Sequence, residues 1–181
     1  MRKLILVGGD LAAGKSTFSN VIGEKLDLLV VNKDRLKEII GDHIMARDRD
    51  ENIKFSNISF DAMMYLIEKN KGTLVLESNF KPYEMERIEK LTKELGYEVL
   101  SLVLSADVKI LHERFQDRLK KEDRHYVHRA QDFTDINDFK ETLDELRSVN
   151  YLGKVINIDA STFDCQTDMK LLEEIKNFVT K

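Results

Sequence analysis

Apolar residues in this chain fall into short unbroken runs that alternate with stretches of helical spacing. Leu4 to Val7 is the first run and closes on glycines, as a buried strand does when it enters a turn. Lys15 to Leu26 then sets Phe18, Val21, Ile22 and Leu26 on one helical stripe. Leu28 to Val31 predicts a second strand and Asp34 to Ile40 a short helix, while charged Asp42 to Asp50 predicts a loose connection. Ile53 to Glu68 predicts a helix with Ile58, Ala62, Tyr65 and Leu66 along one side. Further strands are predicted over Thr73–Leu76, Val99–Leu104 and Val155–Ile158, and helices over Pro82–Leu95, Val108–Leu119, Asn137–Val149 and Met169–Val179. Pro82 suits a helix start, and Gly96 ends that helix. Continuous apolar strands between helices argue for a three-layer αβα sandwich, an α/β fold with a five-stranded parallel sheet covered on both faces. Ligands in such sheets lie outside the carboxyl ends of the strands.

Composition narrows the class. The 181 residues fit one domain, 1–181, with a full-sized core. A net charge of −4 supplies no global field that would draw nucleic acid or an anionic membrane. Cys165 is the sole cysteine, which excludes an intramolecular disulfide and a cysteine metal cluster. Gly8, Gly9 and Asp10 cut the first apolar run too short for a signal peptide or a membrane span, so a cytoplasmic location is expected.

The strongest signal follows the first strand. Gly9-Asp10-Leu11-Ala12-Ala13-Gly14-Lys15-Ser16 matches G-x-x-x-x-G-K-[ST] at every fixed position, with a strand before it and a helix after. Such a loop turns backbone N–H groups inward as a nest for phosphate oxygens, and the helix start adds its positive dipole end. Lys15 is expected to reach the β- and γ-phosphates of ATP, Ser16 to ligate magnesium, and Thr17 to lie near the α-phosphate. The expected fold is therefore a P-loop NTPase. No Asn-Lys-x-Asp guanine-recognition sequence follows a strand, which argues against a GTP switch.

The chain resembles the small P-loop kinases of the zeta-toxin, chloramphenicol-phosphotransferase and polynucleotide-kinase-like group, with AAA-type ATP binding. After the cradle, the second strand ends in Asn32-Lys33-Asp34-Arg35-Leu36-Lys37, similar to the Asn-Arg-Asp-x-x-Arg of polynucleotide kinases. Leu74-Val75-Leu76-Glu77-Ser78-Asn79-Phe80 is similar to the group's strand closing on an acid, and Arg114-Phe115-Gln116-Asp117-Arg118 to its R-x-x-x-R lid. Lys33 and Lys37 stand where arginines are usual and Glu77 where aspartate is, so the acceptor does not transfer with the resemblance.

That resemblance implies a kinase in which Asp34 activates an acceptor hydroxyl, although Asp34 also suits a cap for the following helix. Lys37, one turn on, is a candidate for an acidic group of the acceptor or a plain solvated lysine. Glu77 is a candidate for the metal or its waters, or for a hydrogen bond to the cradle. Asn79 and Phe80 are candidates for the acceptor pocket, with Phe80 equally suited to the core. Arg87 reads as a surface ion pair. Arg114 and Arg118 share a helical face and are expected to clamp phosphate as a basic lid over about 118–135 closes on ATP. Arg124, His125 and His128 lie in that lid, where the histidines lack the further ligands a zinc site needs. Asp159 and Thr162, after the last strand, are candidates for the base or ribose, or simply hold their own turn. The expected partners are nucleotide and a small-molecule acceptor. Rival readings are a nucleotide-binding regulator or slow ATPase without an acceptor, and a nucleic-acid 5′-end kinase.

Overall fold

The computed structural model describes residues 2–121, 124–128, 133–162 and 164–180. The apolar runs form β1 (Arg2–Gly9), β2 (Leu29–Asn32), β3 (Thr73–Glu77), β4 (Tyr97–Ser105) and β5 (Lys154–Asp159). The helices are α1 (Lys15–Leu26), α2 (Lys33–His43), α3 (Arg49–Lys69), α4 (Pro82–Leu95), α5 (Val108–Lys121), α6 (Ile136–Arg147) and α7 (Met169–Thr180). The stretch expected to be loose, Asp42 to Asp50, is trimmed at both ends. α2 runs on to His43, and the Asp48 side chain caps α3 by accepting the Glu51 N–H at 2.9 Å.

Every strand pairing is parallel, in the order β2-β3-β1-β4-β5. Helical crossovers then cover both faces, and alternate residues of central β1 serve the two cores. Ile5 and Val7 join Phe18, Leu111, Phe139 and Ile175 of α1, α5, α6 and α7. Leu4 and Leu6 join Phe60, Met63 and Ile88 of α3 and α4. Phe80 belongs to this second core. It has no exposed surface and meets the Tyr151 ring edge-on at 6.4 Å, so the reading of it as an acceptor-pocket wall is corrected. The sheet face below it needed filling, and a buried aromatic fills it. Among the described residues no helix is long and apolar enough to cross a membrane.

Two ties position the site. Lys33 pairs with fully buried Glu84, which also accepts the Lys81 N–H at 3.0 Å, so the first turns of α2 and α4 are held together. β1 leaves the sheet at Gly9 with φ +110°, where a Cβ would overlap the Leu104 carbonyl. Gly9→Ala is therefore expected to lower the unfolding free energy by about 2 kcal/mol or more, read from the denaturant midpoint. An unchanged midpoint would contradict this close approach.

Candidate functional site

The loop from β1 to α1 sits at the carboxyl edge of the central strand. Gly14 takes the left-handed conformation, φ 85°, as α1 begins, and no side chain caps that helix start. The first intrahelical bond runs from the Phe18 N–H to Gly14 O at 3.0 Å, so the N–H groups of the first turn, Lys15 to Thr17, precede the ladder. Ala12 also has positive φ, 60°, which curls the loop. Leu11, Ala12 and Gly14 are half-buried, and Ala13 is buried against the core.

Lys15 is buried, and its ammonium donates to the carbonyls of Asp10 at 2.6 Å and Gly9 at 3.2 Å. Burial lowers its pKa, and the nearby positive charge of Arg118 adds to the lowering, while Glu77, Asp34 and Asp10 oppose it. The Ser16 hydroxyl donates to Glu77 Oε2 at 3.1 Å. Asn32 Nδ2 donates to the same carboxylate oxygen and, at 3.3 Å, to Ser16 Oγ. Glu77 is buried, which raises its pKa; Asp34 adds to that, while Lys15 and the Ser16 hydrogen bond hold it down. A hydroxyl and a carboxylate in contact form the hard oxygen set that magnesium prefers. Asn32, quoted above only as part of a stretch, thus joins cradle and strand. Its place between a strand and a helix was the available signal.

Asn32 is also the cap of α2, its Oδ1 accepting the Arg35 N–H at 2.8 Å. The alternative that Asp34 caps this helix is thereby corrected. Asp34 stands exposed in the first turn, close enough for its charge to act on Lys15, Glu77, Lys37 and His128. Lys37 is half-buried, which lowers its pKa, and it donates to Val127 O at 3.2 Å; a merely solvated lysine does neither. Asn79 follows β3, with Oδ1 buried and making no hydrogen bond within the described residues. Arg87 is the surface pair expected, 2.8 Å from Asp61.

Of the segment expected to form a lid, 122–123 and 129–132 lie outside the described residues, and Arg118 is still helical, exposed in the last turn of α5. The described strap from Arg124 to His128 docks on α2 and α3. Val127 O accepts from Lys37 and from Asn52 Nδ2 at 3.0 Å, and Tyr126 Oη accepts the Ala46 N–H at 3.1 Å. A Cβ on Gly41 would collide with Val127 and His125, so α2 and the strap approach closely there. His125 meets Asp42 at 3.2 Å. His128 Nε2 lies 3.2 Å from Glu38 Oε1 but outside hydrogen-bonding geometry. Arg124 stacks 5.5 Å from the Phe115 ring.

Arg114, expected to clamp phosphate, donates to Ala160 O at 2.6 Å and Ser161 O at 2.8 Å and so braces the turn after β5. In that turn the Ser161 side chain and then its N–H, at 2.8 Å, hydrogen-bond Asp159 and lower its pKa, and the Thr162 hydroxyl donates to Asp164 at 2.9 Å. These side chains hold their own turn, as one of the two readings had it. The carboxylate of Asp10 is turned away from the cradle, onto Arg147 at 2.7 Å. Nothing in the sequence marked Arg147, 137 residues away.

The profile of an AAA domain family matches residues 5–143. No curated protein sequence matches the chain. A crystal structure from Chloroflexus aurantiacus, of a protein assigned as a kinase, superposes with TM-score 0.78 at 23% identity, covering 99% of each chain. The shikimate kinase of Bacteroides thetaiotaomicron superposes at 0.62 and 15% identity, covering 98% of each. The tunicamycin resistance protein of Deinococcus radiodurans does so at 0.61 and 16%, covering 99% of this chain and 96% of that one. At these identities the likeness is one of fold, and that fold is the kinase-like P-loop fold.

The electrostatics carry a titration prediction. In the metal-free protein Glu77 should titrate above the ordinary carboxylate range, because burial favours its neutral form. Lys15→Met removes the charge that opposes this and should raise the midpoint further. The side-chain carbon shift of Glu77, followed by NMR against pH, checks both. A midpoint at or below an ordinary glutamate would contradict the site as described.

Proposed function

The chain belongs to this AAA domain family, and on that premise we propose that it is an ATP- and magnesium-dependent kinase. It would transfer the γ-phosphoryl group to a hydroxyl of a small-molecule acceptor. The observation that carries this reading is Lys15, a buried ammonium resting on two loop carbonyls beside an uncapped helix start. Burying a cation is costly, and an arriving polyphosphate relieves that cost with charge that the carbonyls only imitate. The fold supports the reading, since kinases of small molecules such as the shikimate kinase are built on it.

In the proposed reaction the loop N–H groups from Leu11 to Thr17 cradle the phosphates, and Lys15 swings from its carbonyls to the β- and γ-oxygens. Ser16 and Glu77 are the residues that would hold magnesium, with Asn32 fixing the carboxylate; a bound magnesium neutralises polyphosphate charge. Asp34 accepts the proton of the acceptor hydroxyl as its oxygen bonds to the γ-phosphorus. The bond from that phosphorus to the β–γ bridging oxygen breaks, and ADP leaves. Arg118, which reaches Lys15 electrostatically, neutralises charge that spreads onto the transferred group. Lys37 and the unpartnered Asn79 Oδ1 orient the acceptor, and Asp159 and Thr162 lie at the strand edge proposed for the base or ribose. Residues 1–181 are read as one domain, with 118–135 as its lid. The docking of Val127 on Lys37, with His128 in reach of the Asp34 charge, supports reading the 124–128 part of that lid as a wall on the acceptor side.

Coupled ADP release from magnesium-ATP across a panel of alcohols tests this reading. Acceptor-stimulated turnover should fall about a hundredfold or more in Asp34→Asn, with nucleotide affinity nearly kept. ADP release that ignores every acceptor and is unchanged by Asp34→Asn would instead mark a slow ATPase or a nucleotide-binding regulator.

A further inference from the structure

The back of the phosphate loop is held by residues that the kinase reading does not use. Asp10 is buried, its side chain 1% exposed, yet it lies inside the phosphate-binding motif. Its carboxylate takes a two-pronged grip from Arg147, Nε to Oδ1 at 3.0 Å and a terminal nitrogen to Oδ2 at 2.7 Å. The Ala106 N–H donates to the same carboxylate at 3.3 Å, and Arg147 donates to Ala106 O at 2.8 Å. Alongside, the Gly9 N–H donates to the Tyr151 hydroxyl at 2.8 Å, and the Asp10 N–H to Leu104 O at 2.8 Å. Gly8 makes room for this, since a Cβ there would overlap the Tyr151 ring. Asp10 and Gly9 are the two residues whose carbonyls support the Lys15 ammonium.

We propose that Arg147 and Tyr151 are positioning residues of the phosphate loop, which set the carbonyls of Gly9 and Asp10 and through them the resting place of Lys15. This rests on the kinase reading only in taking the loop to bind nucleotide. The guanidinium fork fixes both position and angle of the Asp10 carboxylate, which a single ammonium does not. Tyr151 fixes the residue before it, so the first turn of the loop is held at two adjacent points. α6 carries Arg147 at its end, and at its start it follows buried Phe133, whose carbonyl accepts from Gln116 and contacts the His112 ring, both at 2.8 Å. The brace is therefore built on an anchored helix. It is also reachable: Arg147 is 38% exposed and with Asp10 and Tyr151 lines an open cleft of about 560 Å³. Shortening Arg147 removes a brace without opening the hydrophobic core.

A merely structural Arg147 and a positioning Arg147 separate in one set of variants. Arg147→Leu strands the Asp10 carboxylate, so it should melt lower and bind magnesium-ATP about tenfold or more weakly, measured well below its melting temperature. Asp10→Asn/Arg147→Leu removes the stranded charge and should regain melting temperature while the affinity stays weak, because no fork fixes residue 10. Tyr151→Phe takes the partner from the buried Gly9 N–H, so it should melt somewhat lower and, measured well below its melting temperature, bind about fivefold more weakly. Should Arg147→Leu fail to fold, Arg147→Lys keeps the charge and is expected to bind several-fold more weakly than wild type. Wild-type affinity in the double variant or in Arg147→Lys would overturn the proposal and leave Arg147 a stability residue. Wild-type protein that binds no magnesium-ATP would take the kinase reading down as well, whereas equal binding by wild type and Arg147→Leu removes the brace alone.

Discussion

A buried lysine ammonium is the constraint on which this site depends. Lys15 is enclosed by the loop that precedes it and leans on carbonyls, with Glu77 the strongest opposing charge. Neither contact is a full ion pair, and a desolvated cation in that state favours whatever brings oxyanions. The surrounding architecture exists to hold it there. β1 is the middle strand of an all-parallel sheet, so the turn that follows inherits the rigidity of two neighbouring ladders. The Asp10–Arg147 pair and the Tyr151 hydroxyl restrain that turn from behind.

The same electrostatic economy extends across the strand ends. Asn32 satisfies three needs at once: it caps α2, supports Glu77 and touches Ser16. Glu77 and Asp34 raise the pKa of Lys15 while Arg118 lowers it, and Lys15 in turn holds down the pKa of Glu77, so the Lys15 and Glu77 charges depend on each other. Along α2 the strap docks through a Val127 carbonyl shared by Lys37 and Asn52. In the proposed kinase, a lid docked there shapes what reaches Asp34 as much as what leaves the nucleotide pocket.

Much of this was legible along the chain because its signals are local. Strand, glycine turn, lysine and helix follow one another within residues 4 to 26, and the five strands announce themselves as apolar runs, broken only by Ser101 in the fourth and Asn157 in the fifth. Local signals also mislead where two explanations share a residue. Asp34 and Asn32 are both good caps, and only the backbone register decides for Asn32. Phe80 follows a strand end, where a pocket or a core could claim it, and the packing of two faces decides for the core. Arg114 and Arg118 share a helical stripe, yet one braces the turn after β5 and the other stands exposed near Lys15. Least legible were pairings across great chain distance, such as Asp10 with Arg147 and Gly9 with Tyr151. No periodicity or motif encodes them, and only the fold brings them together.

The central claim is that polyphosphate is held by the backbone of the loop beside Lys15. It is tested most directly by backbone NMR during titration with magnesium and a non-hydrolysable ATP analogue. The account predicts that the largest amide shifts fall on Leu11 to Thr17 and that Lys15→Met removes them. Saturable binding that leaves those amides unmoved, with the shifts falling elsewhere, would contradict it.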